Sequence, residues 1–453
     1  MKQLSHFRAT RVFTHLEMDI NFYPELTFLF GLNGSGKTTA LRLIMGLLQP
    51  SIETLASIDF QTAKISGESH DHGNIDVSAE KSGSSLLIKC SMVDEVFEVP
   101  LDVMETDEPA RLIAREAARS KTIEAIRAVS SPMFLGIDRR FITPFSKRRG
   151  LPIGSSRDMA YRFRNERMAR EDRSYDPGLA EVADVIDTYV ARLHGAQELI
   201  NEQFRKELLL ESFTYADPSK RGLSFETPSE EAFRDFRNKR AAISRALQAL
   251  DLASDEFEEK SESFFKAIED IITTIRRGAG VIHKGKELDK ELSEALTAWF
   301  VNQSQMERIN RLFELTTKYQ GQTEKTQKQL NDFMALVNQF FFQTGKMISI
   351  GREGGVRIKM QNGGTTSLQA LSSGERQIFI MLAHLSLNKK LLRDGVFIVD
   401  EPELSLHLGW QDMFVEAIQK ANPRLQLILA THSPTIIGGR DNLCVPVSTM
   451  SVP

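Results

Sequence analysis

The sequence has few of the features that mark secreted, zinc-binding or membrane-spanning proteins. It contains two cysteines in 453 residues, Cys90 and Cys444, and neither lies in a cluster of cysteine and histidine. A disulfide framework or a structural zinc site is therefore not expected. The chain has no run of about 18 consecutive apolar residues, and its first residues lack the apolar core of a signal peptide. We expect a cytoplasmic protein with no membrane segment.

The chain also lacks an overall excess of charge of either sign. The net charge is −4, which predicts no general electrostatic affinity for nucleic acid. Residues 139–173 are the local exception, with eleven Lys or Arg against four Asp or Glu. This basic segment could contact a phosphate backbone without reading bases. It could equally be a charged helix face or a docking loop, and the sequence leaves both interpretations open.

A glycine-rich loop follows the apolar run Leu26–Phe30. Residues 31–38 read GLNGSGKT and fit the pattern G-x-x-x-x-G-K-[ST], between a predicted buried strand and a predicted helix. Backbone N–H groups and the helix dipole can hold phosphates here, Lys37 can reach the β- and γ-phosphates, and Thr38 can bind Mg²⁺. The residues predicted to contact the nucleotide in this loop are Asn33, Gly34, Ser35, Gly36, Lys37, Thr38 and Thr39.

Two further predicted strands end in polar side chains. The apolar run Val396–Val399 is typical of a buried parallel strand, and Asp400 and Glu401 follow it. Ligands of open α/β sheets bind at the carboxyl ends of strands. We therefore expect Asp400 to contact Mg²⁺ and Glu401 to act as the general base for an attacking water. His432 follows the next such strand, Leu425–Ala430, and is predicted to sense the γ-phosphate.

A serine-glycine segment precedes another apolar helix. Residues 371–377 read LSSGERQ, so that Ser372 or Ser373 can cap the helix, with Glu375 near the capping-box position. Such a helix start can also form a phosphate site, with Ser372, Ser373, Gly374 and Glu375 as its candidate residues. One chain needs one such cradle for each nucleotide. A second phosphate-binding helix start therefore suggests that this segment binds the γ-phosphate of a nucleotide held by a partner molecule.

In chain order, these four motifs resemble the Walker A, signature, Walker B and switch-histidine motifs of the ATP-binding cassette (ABC) superfamily. The resemblance covers about residues 1–60 and 346–453. It implies an α/β fold with an ABC-type P-loop ATPase head, and an enzyme that uses ATP and Mg²⁺ with Lys37, Glu401 and His432 as catalytic residues. It also implies a homodimer, or a higher even homo-oligomer, in which one head completes the site of another. The glutamine-bearing loop of the superfamily stays unassigned between Gln61 and residues 138–139.

The long middle of the chain predicts a helical arm. Apolar positions from Phe236 to Ile275 step by three and four, a heptad pattern that favours a coiled coil or a long antiparallel hairpin. A second helix, Leu288–Phe341, can return beside the first, and glycines at 278–285 predict the bend between them. We therefore divide the chain into an N-terminal head lobe at 1–177, a helical arm inserted at 178–345, and a C-terminal head lobe at 346–453.

Residues 400–407, DEPELSLH, indicate which branch of the superfamily is nearest. They resemble the D-E-P-E-x-x-L-H pattern of OLD-like ATPases, and His407 stands where SMC proteins usually carry an aspartate. A short arm, an OLD-like head and no visible nuclease motif together resemble the PtuA ATPases of Septu antiphage systems. That resemblance implies slow ATP hydrolysis that gates a separate HNH-type nuclease. The alternatives are an SMC- or RecF-type DNA-repair ATPase without a nuclease partner, and a scaffold that ATP only holds together.

Overall fold

The computed structural model describes the greater part of the chain. The described residues are 1–32, 34–69, 71–101, 113, 115–130, 132–136, 141–142, 176–212, 230–249, 255–282, 290–351, 354–388, 395–404 and 406–447. Asn33 lies outside them, and so does the basic segment 139–173 apart from the short strand Phe141–Ile142. The expectations for Asn33 and for nucleic-acid contact by that segment therefore stay predictions.

The described strands lie toward both ends of the chain, and helices separate groups of them. They are β1 (Gln3–Val12), β2 (Leu16–Asn21), β3 (Leu26–Phe30), β4 (Thr62–Ser69), β5 (Gly73–Ser82), β6 (Ser85–Cys90), β7 (Val93–Pro100), β8 (Met133–Leu135), β9 (Phe141–Ile142), β10 (Lys346–Gly351), β11 (Gly354–Met360), β12 (Thr365–Thr366), β13 (Gly395–Asp400), β14 (Leu425–Ala430) and β15 (Cys444–Pro446). The helices are α1 (Lys37–Leu48), α2 (Ile52–Ser57), α3 (Lys121–Val129), α4 (Pro177–Ser212), α5 (Glu230–Ala249), α6 (Asp255–Ile282), α7 (Lys290–Phe341), α8 (Ser373–Leu387), α9 (Leu408–Ala421) and α10 (Pro434–Ile437).

The central sheet brings both ends of the chain together. Its strand order is β15-β3-β14-β13-β8-β9, and every neighbouring pair except β8–β9 is parallel. All residues of β13 and β14 are buried, which explains the apolar runs Val396–Val399 and Leu427–Ala430 within them. In the register, Ala430 pairs with both Asp400 and Leu29. The carboxyl ends of β3, β13 and β14 therefore coincide at one edge of the sheet.

A second sheet covers the first helix. Its order is β2-β1-β4-β5-β6-β7, with every neighbouring pair antiparallel. Helix α1 contacts strands of both sheets, and side chains of both sheets share one buried core that includes Met18, Ile44, Ile65 and Ile398. Burial of that core is the main contribution to stability here. The small sheet β10-β11-β12 contains the antiparallel hairpin of β10 and β11.

The chain divides into two compact units, which we describe separately. One comprises Met1–Tyr189 and Asp332–Pro453, and the other comprises Val190–Asn331. The second unit is built from long helices around a core of eight buried side chains: Phe204, Phe236, Ile243, Phe265, Ile268, Ile272, Ile309 and Tyr319. The predicted α/β fold with long inserted helices is confirmed. None of the described helices has both the length and the apolar composition needed to cross a lipid bilayer.

The heptad run is divided between two described helices, α5 and α6. Two hydrogen bonds show that these helices pair antiparallel: Arg237 donates to Glu269 at 2.7 Å, and Arg240 donates to Glu262 at 3.1 Å. On either side of the predicted bend, one described helix ends at Ile282 and the next begins at Lys290. Gly278 lies inside α6, where a Cβ atom would come within 2.5 Å of the Leu292 side chain. That glycine therefore permits close packing of α6 on α7. A heptad pattern does not distinguish one long helix from two shorter helices facing each other.

Candidate nucleotide site

The predicted phosphate loop connects the buried strand β3 to helix α1. Gly34 and Gly36 have φ of 84° and 87°, values that favour glycine over residues with a Cβ atom. Gly36 is the N-cap of α1, and no side chain of the described residues caps the helix there. The first N–H groups of a helix have no partner within the helix. This helix start therefore presents backbone donors and a positive dipole end toward the sheet edge, as an anion site requires.

Lys37 is the positive side chain of this edge. Only 5% of the residue is exposed, and its Nζ donates hydrogen bonds to the carbonyl oxygens of Gly31 at 2.9 Å and Leu32 at 3.4 Å. Burial lowers the pKa of Lys37, and the charges of Glu401, Asp400 and Glu403 oppose that shift. One buried lysine thus faces three carboxyl groups, and this arrangement favours a ligand that brings a metal cation with it.

Asp400 is the last residue of β13 and is almost fully buried. Burial raises the pKa of Asp400 from its ordinary value of 3.8 to about 6, while a hydrogen bond from Thr38 opposes the rise and Glu401 adds to it. Its Oδ1 atom has no hydrogen-bond partner among the described residues. Buried polar atoms are rarely left unpaired. Hard cations such as Mg²⁺ prefer carboxylate, hydroxyl and phosphate oxygens. Asp400 and Thr38 therefore have the chemistry to hold Mg²⁺ together with a phosphate.

Glu401 and His432 extend from neighbouring strand ends. Glu401 has a positive φ of 47°, a strained conformation for this residue type that is often found at functional sites. The His432 Nε2 atom lies 3.8 Å from the Glu401 Oε1 atom. This distance allows electrostatic interaction but is too long for a hydrogen bond. The parallel pairing of β13 with β14 places these two side chains together.

An open cleft of about 800 Å³ lies at this sheet edge. It is lined by Phe13, His15, Leu16, Gly34, Gly36, Lys37, Thr38, Thr39, Glu401, Glu403, Leu404 and His432. Five of the seven residues predicted in the phosphate loop line the cleft, together with Glu401 and His432. Sequence reasoning missed Phe13, His15 and Leu16 around the β1–β2 turn, and also Glu403 and Leu404. The turn is unusual, with positive φ at Arg11, Phe13 and Thr14. No motif in the sequence indicated it.

The signature segment forms a capped helix start and does not line this cleft. Ser372 is the N-cap of α8: its Oγ accepts from the Glu375 backbone N–H, and the Glu375 carboxylate accepts from the Ser372 N–H at 2.7 Å. That carboxylate is 1% exposed and also accepts from Thr344 at 2.7 Å and Lys346 at 2.8 Å. Glu375 is therefore occupied within its own chain. Its predicted contact with a nucleotide stays a prediction, as do those of Ser372, Ser373 and Gly374.

The unassigned glutamine loop remains open after the fold is known. Gln61 is exposed, and its backbone bonds to Thr10 and Lys81. It does not line the cleft. The other placement, residues 138–139, lies outside the described residues. Within the described part of the chain, no group of three or more His, Cys, Asp or Glu is arranged to hold a metal ion without a further ligand.

A parallel sheet, a glycine-rich loop before α1 and adjoining carboxylates define a P-loop ATPase fold of the ABC and SMC-like class. The sequence model of a family described as "AAA domain, putative AbiEii toxin, Type IV TA system" matches residues 182–438. That match covers more than half of the chain, and the chain belongs to this family. A second model, described as "ABC transporter", matches residues 14–133, which include the phosphate loop.

Curated relatives are retron ATPases. The retron Vc95 probable ATPase of Vibrio cholerae serotype O1 biovar El Tor is 24% identical over 230 residues, which are 46% of this chain and 42% of that protein. The retron Ec83 probable ATPase of Escherichia coli is 26% identical over 184 residues, which are 36% of this chain and 32% of that protein. The matched regions therefore span less than half of each relative's length.

Solved structures of SMC heads align over nearly the whole chain, but loosely. The Smc head domain with an extended coiled coil from Pyrococcus furiosus aligns with a TM-score of 0.38 and 11% identity, over 99% of this chain and 93% of that one. The Smc head from Pyrococcus yayanosii aligns with a TM-score of 0.35 and 11% identity, over 99% and 97%. These scores are too low to add to the assignment, which rests on the sequence families and the site.

Proposed function

We propose that this chain binds MgATP in the cleft and hydrolyses it, as the regulatory ATPase of an antiphage defence complex that gates a separate nuclease. One observation carries the ATPase part of the proposal. A single sheet edge brings together Lys37, Thr38, Asp400, Glu401 and His432 from segments that lie almost the whole chain apart. This combination of a cation, a hydroxyl, two carboxylates and an imidazole beside a free helix N-terminus suits phosphoryl transfer to water.

The phosphates would lie against the start of α1. The uncapped N–H groups and Lys37 are the donors for the β- and γ-phosphate oxygens. Thr38 and Asp400 would hold Mg²⁺, which neutralises charge on the phosphates when it is bound. Because three carboxyl groups surround one lysine, we expect nucleotide binding to depend strongly on the metal ion. Phe13 and His15 line the same cleft and are available to the rest of the nucleotide.

Glu401 would take the proton of the attacking water. Its position beside His432 puts a base and a hydrogen-bonding ring at the place where the γ-phosphate would lie. The His432 ring would then distinguish ATP from ADP by the presence of that phosphate. Such a site can hold ATP for a long time and act as a switch when hydrolysis is slow.

The start of α8 would complete the site of a second copy. Ser372 and Ser373 are exposed, and neither lines the cleft of its own chain. An exposed helix start outside its own cleft is available to the γ-phosphate of a neighbouring head. We therefore propose a homodimer, or a higher even homo-oligomer, that pairs through its heads when ATP is bound.

The defence part of the proposal rests on the family and on the resemblance to PtuA ATPases. The curated relatives are ATPases of retrons, and the head motif DEPELSLH is of the OLD-like kind. A separate HNH-type nuclease would be the partner. The alternative of a DNA-repair ATPase makes a different prediction, since it would pair without a nuclease and bind DNA.

The first experiment measures the mass of the assembly after co-expression with candidate HNH nucleases, with and without MgATP. Wild type should form paired subunits that retain a nuclease, and Lys37→Ala should lose the ATP-dependent pairing. Lys420→Ala, at an exposed position on α9, is the control and should behave as wild type. Paired subunits that bind DNA and no nuclease would favour the repair function. A monomer under every condition would contradict the shared site.

A second measurement tests hydrolysis itself. Glu401→Gln should turn over ATP at least about 100-fold more slowly than wild type, because the general base is lost. Glu416→Gln, on the exposed face of α9, is the matched control. Equal turnover by wild type and Glu401→Gln would favour a scaffold in which ATP only holds the subunits together.

A further inference from the structure

Glu403 bridges the ends of two central strands, although no motif assigns it a role. It lies in a 3-10 turn, Pro402–Leu404, directly after Asp400 and Glu401. Its Oε2 atom accepts a hydrogen bond from the Thr431 hydroxyl at 2.9 Å, and its Oε1 atom accepts from the backbone N–H of His432 at 2.6 Å. Both carboxylate oxygens of a residue after β13 are thus used to hold the segment after β14.

This contact belongs to a continuous polar network. The Thr431 hydroxyl accepts from the Ser433 backbone N–H at 3.0 Å, and the Ser433 hydroxyl donates to Gln411 Oε1 at 2.7 Å. Gln411 in turn donates through Nε2 to the carbonyl of Leu406 at 3.2 Å, which returns the network to the loop after β13. Thr431 is fully buried. Hydrogen bonds in such networks strengthen one another and hold a single geometry.

We propose that Glu403 is a positioning residue: it fixes the backbone of His432 so that the imidazole stays beside Glu401. The His432 residue is exposed, and its backbone N–H donates to the Glu403 carboxylate in the 3-10 turn. The inference rests on the proposed function, because it requires His432 and Glu401 to act in ATP hydrolysis. It adds a residue that lines the cleft and is proposed to act on the catalytic step through the position of His432.

A carboxylate is the side chain that this position needs. Two donors, the Thr431 hydroxyl and the His432 N–H, point at it, and an ionised carboxylate has an acceptor for each. A glutamine amide would direct an NH₂ group at one of the two donors. Hydrogen bonds to charged groups are the stronger kind, so their loss should be measurable in kcat.

Four variants separate this role from a general loss of structure. Glu403→Gln removes both the charge and one acceptor. Thr431→Val keeps the shape and the Glu403 charge but removes the hydroxyl, and Thr431→Ser restores the hydroxyl. His432→Ala tests the residue through which Glu403 is proposed to act. Glu416→Gln is the exposed control for the change of carboxylate to amide.

The experiment measures kcat and KM for MgATP, with nucleotide-binding stoichiometry used to count folded sites. We expect Glu403→Gln and Thr431→Val to lower kcat about tenfold or more. Thr431→Val keeps the Glu403 charge in the cleft and should leave KM nearly unchanged, since the Thr431 hydroxyl holds the His432 loop and not the phosphates. Thr431→Ser should retain most of the wild-type kcat. Glu403→Gln combined with His432→Ala should be no slower than His432→Ala alone, because both changes affect one interaction.

The outcomes also separate this inference from the proposed function. If His432→Ala turns over ATP at the wild-type rate, the proposed role of His432 is wrong. If His432→Ala is slow but Glu403→Gln and Thr431→Val keep the wild-type kcat, Glu403 has no positioning role. Additive losses in the double variant would likewise overturn the inference, because Glu403 would then act independently of His432.

Discussion

The helix starts of α1 and α8 are both phosphate-site candidates by sequence, but the structure builds them differently. Gly36 begins α1 with a left-handed φ and no capping side chain, so that the helix start is open. Ser372 begins α8 inside a complete capping box, and the Glu375 carboxylate is buried against Lys346. The open start adjoins the carboxylate edge of its own chain, whereas the closed start does not line that cleft. The comparison teaches that similar helix-start sequences can leave backbone donors open, as in α1, or satisfy them within the chain, as in α8.

The largest effect should follow from removing the lysine at the open start. Lys37→Ala should weaken binding of MgATP by about 100-fold or more, because a buried cation that faces the phosphates is lost. Isothermal titration calorimetry on the isolated chain measures this directly. Lys420→Ala should bind as wild type does. Normal affinity of Lys37→Ala would mean that the open start is not the nucleotide site.

The next largest effect should follow from removing the Glu375 carboxylate at the closed start of α8. Burial alone would raise the pKa of Glu375, but hydrogen bonds from Lys346, Thr344 and Ser372 lower it, so the carboxylate is ionised. Glu375→Ala leaves Lys346 partly buried without its partner and should cost about 3–5 kcal/mol of unfolding free energy. Urea denaturation measures it, with Glu416→Ala as the exposed control. A loss below about 1 kcal/mol would show that this network contributes little.

Asp400 should make the stability of the protein depend on pH. Its pKa is raised from 3.8 in the unfolded chain to about 6 in the folded one. Between these values the folded protein binds more protons, so its stability falls as the pH rises from about 4 to 6. Asp400→Asn removes this penalty and should be more stable than wild type at pH 7.5, by up to about 3 kcal/mol. The advantage should shrink toward pH 4, measured by urea denaturation at several pH values.

The control for that experiment is Asp412→Asn, at an exposed position on α9. The difference in unfolding free energy between this variant and wild type should be the same at pH 4 and at pH 7.5. A stability gain of Asp400→Asn that is the same at every pH would contradict the raised pKa. The presence of Mg²⁺ and nucleotide should reverse the sign of the effect at pH 7.5, because the ligands favour the ionised form of Asp400.

The smallest effects on stability should come from substitutions at two adjacent serines, Ser372 and Ser373, and they should differ. Ser372→Ala removes the side chain that caps α8 and should cost about 1 kcal/mol of stability. Ser373 is exposed and makes no cap bond, so Ser373→Ala should leave the denaturation midpoint unchanged. If the start of α8 contacts a partner's γ-phosphate, Ser373→Ala should nevertheless slow ATP turnover. Unchanged turnover by Ser373→Ala would leave α8 with a structural role only.

The short motifs were predictable because their conformations depend on residues that are close together in the chain. A glycine-rich loop between an apolar strand and a helix has few possible conformations, and a capping box involves residues three apart. The course of the heptad run was not predictable, since the same apolar seam serves one long helix or two antiparallel ones. The pairing of Arg237 with Glu269 shows which of these the chain adopts. The hydrogen bond between Glu403 and the loop at His432 was not predictable from the sequence either, because only the sheet brings these residues together.

By itself, the sequence determined the phosphate loop, the buried strands β13 and β14, the helix start at Ser372 and the presence of a long helical segment. Each of these follows from residues that are close in the chain. Only the tertiary structure decided that Phe13, His15 and Leu16 line the cleft, that Glu403 bonds to Thr431 and His432, and that Asp400 is buried with one oxygen unpaired among the described residues. Parallel pairing of strands distant in the chain creates these contacts, and neither periodicity nor spacing encodes which side chains will meet there.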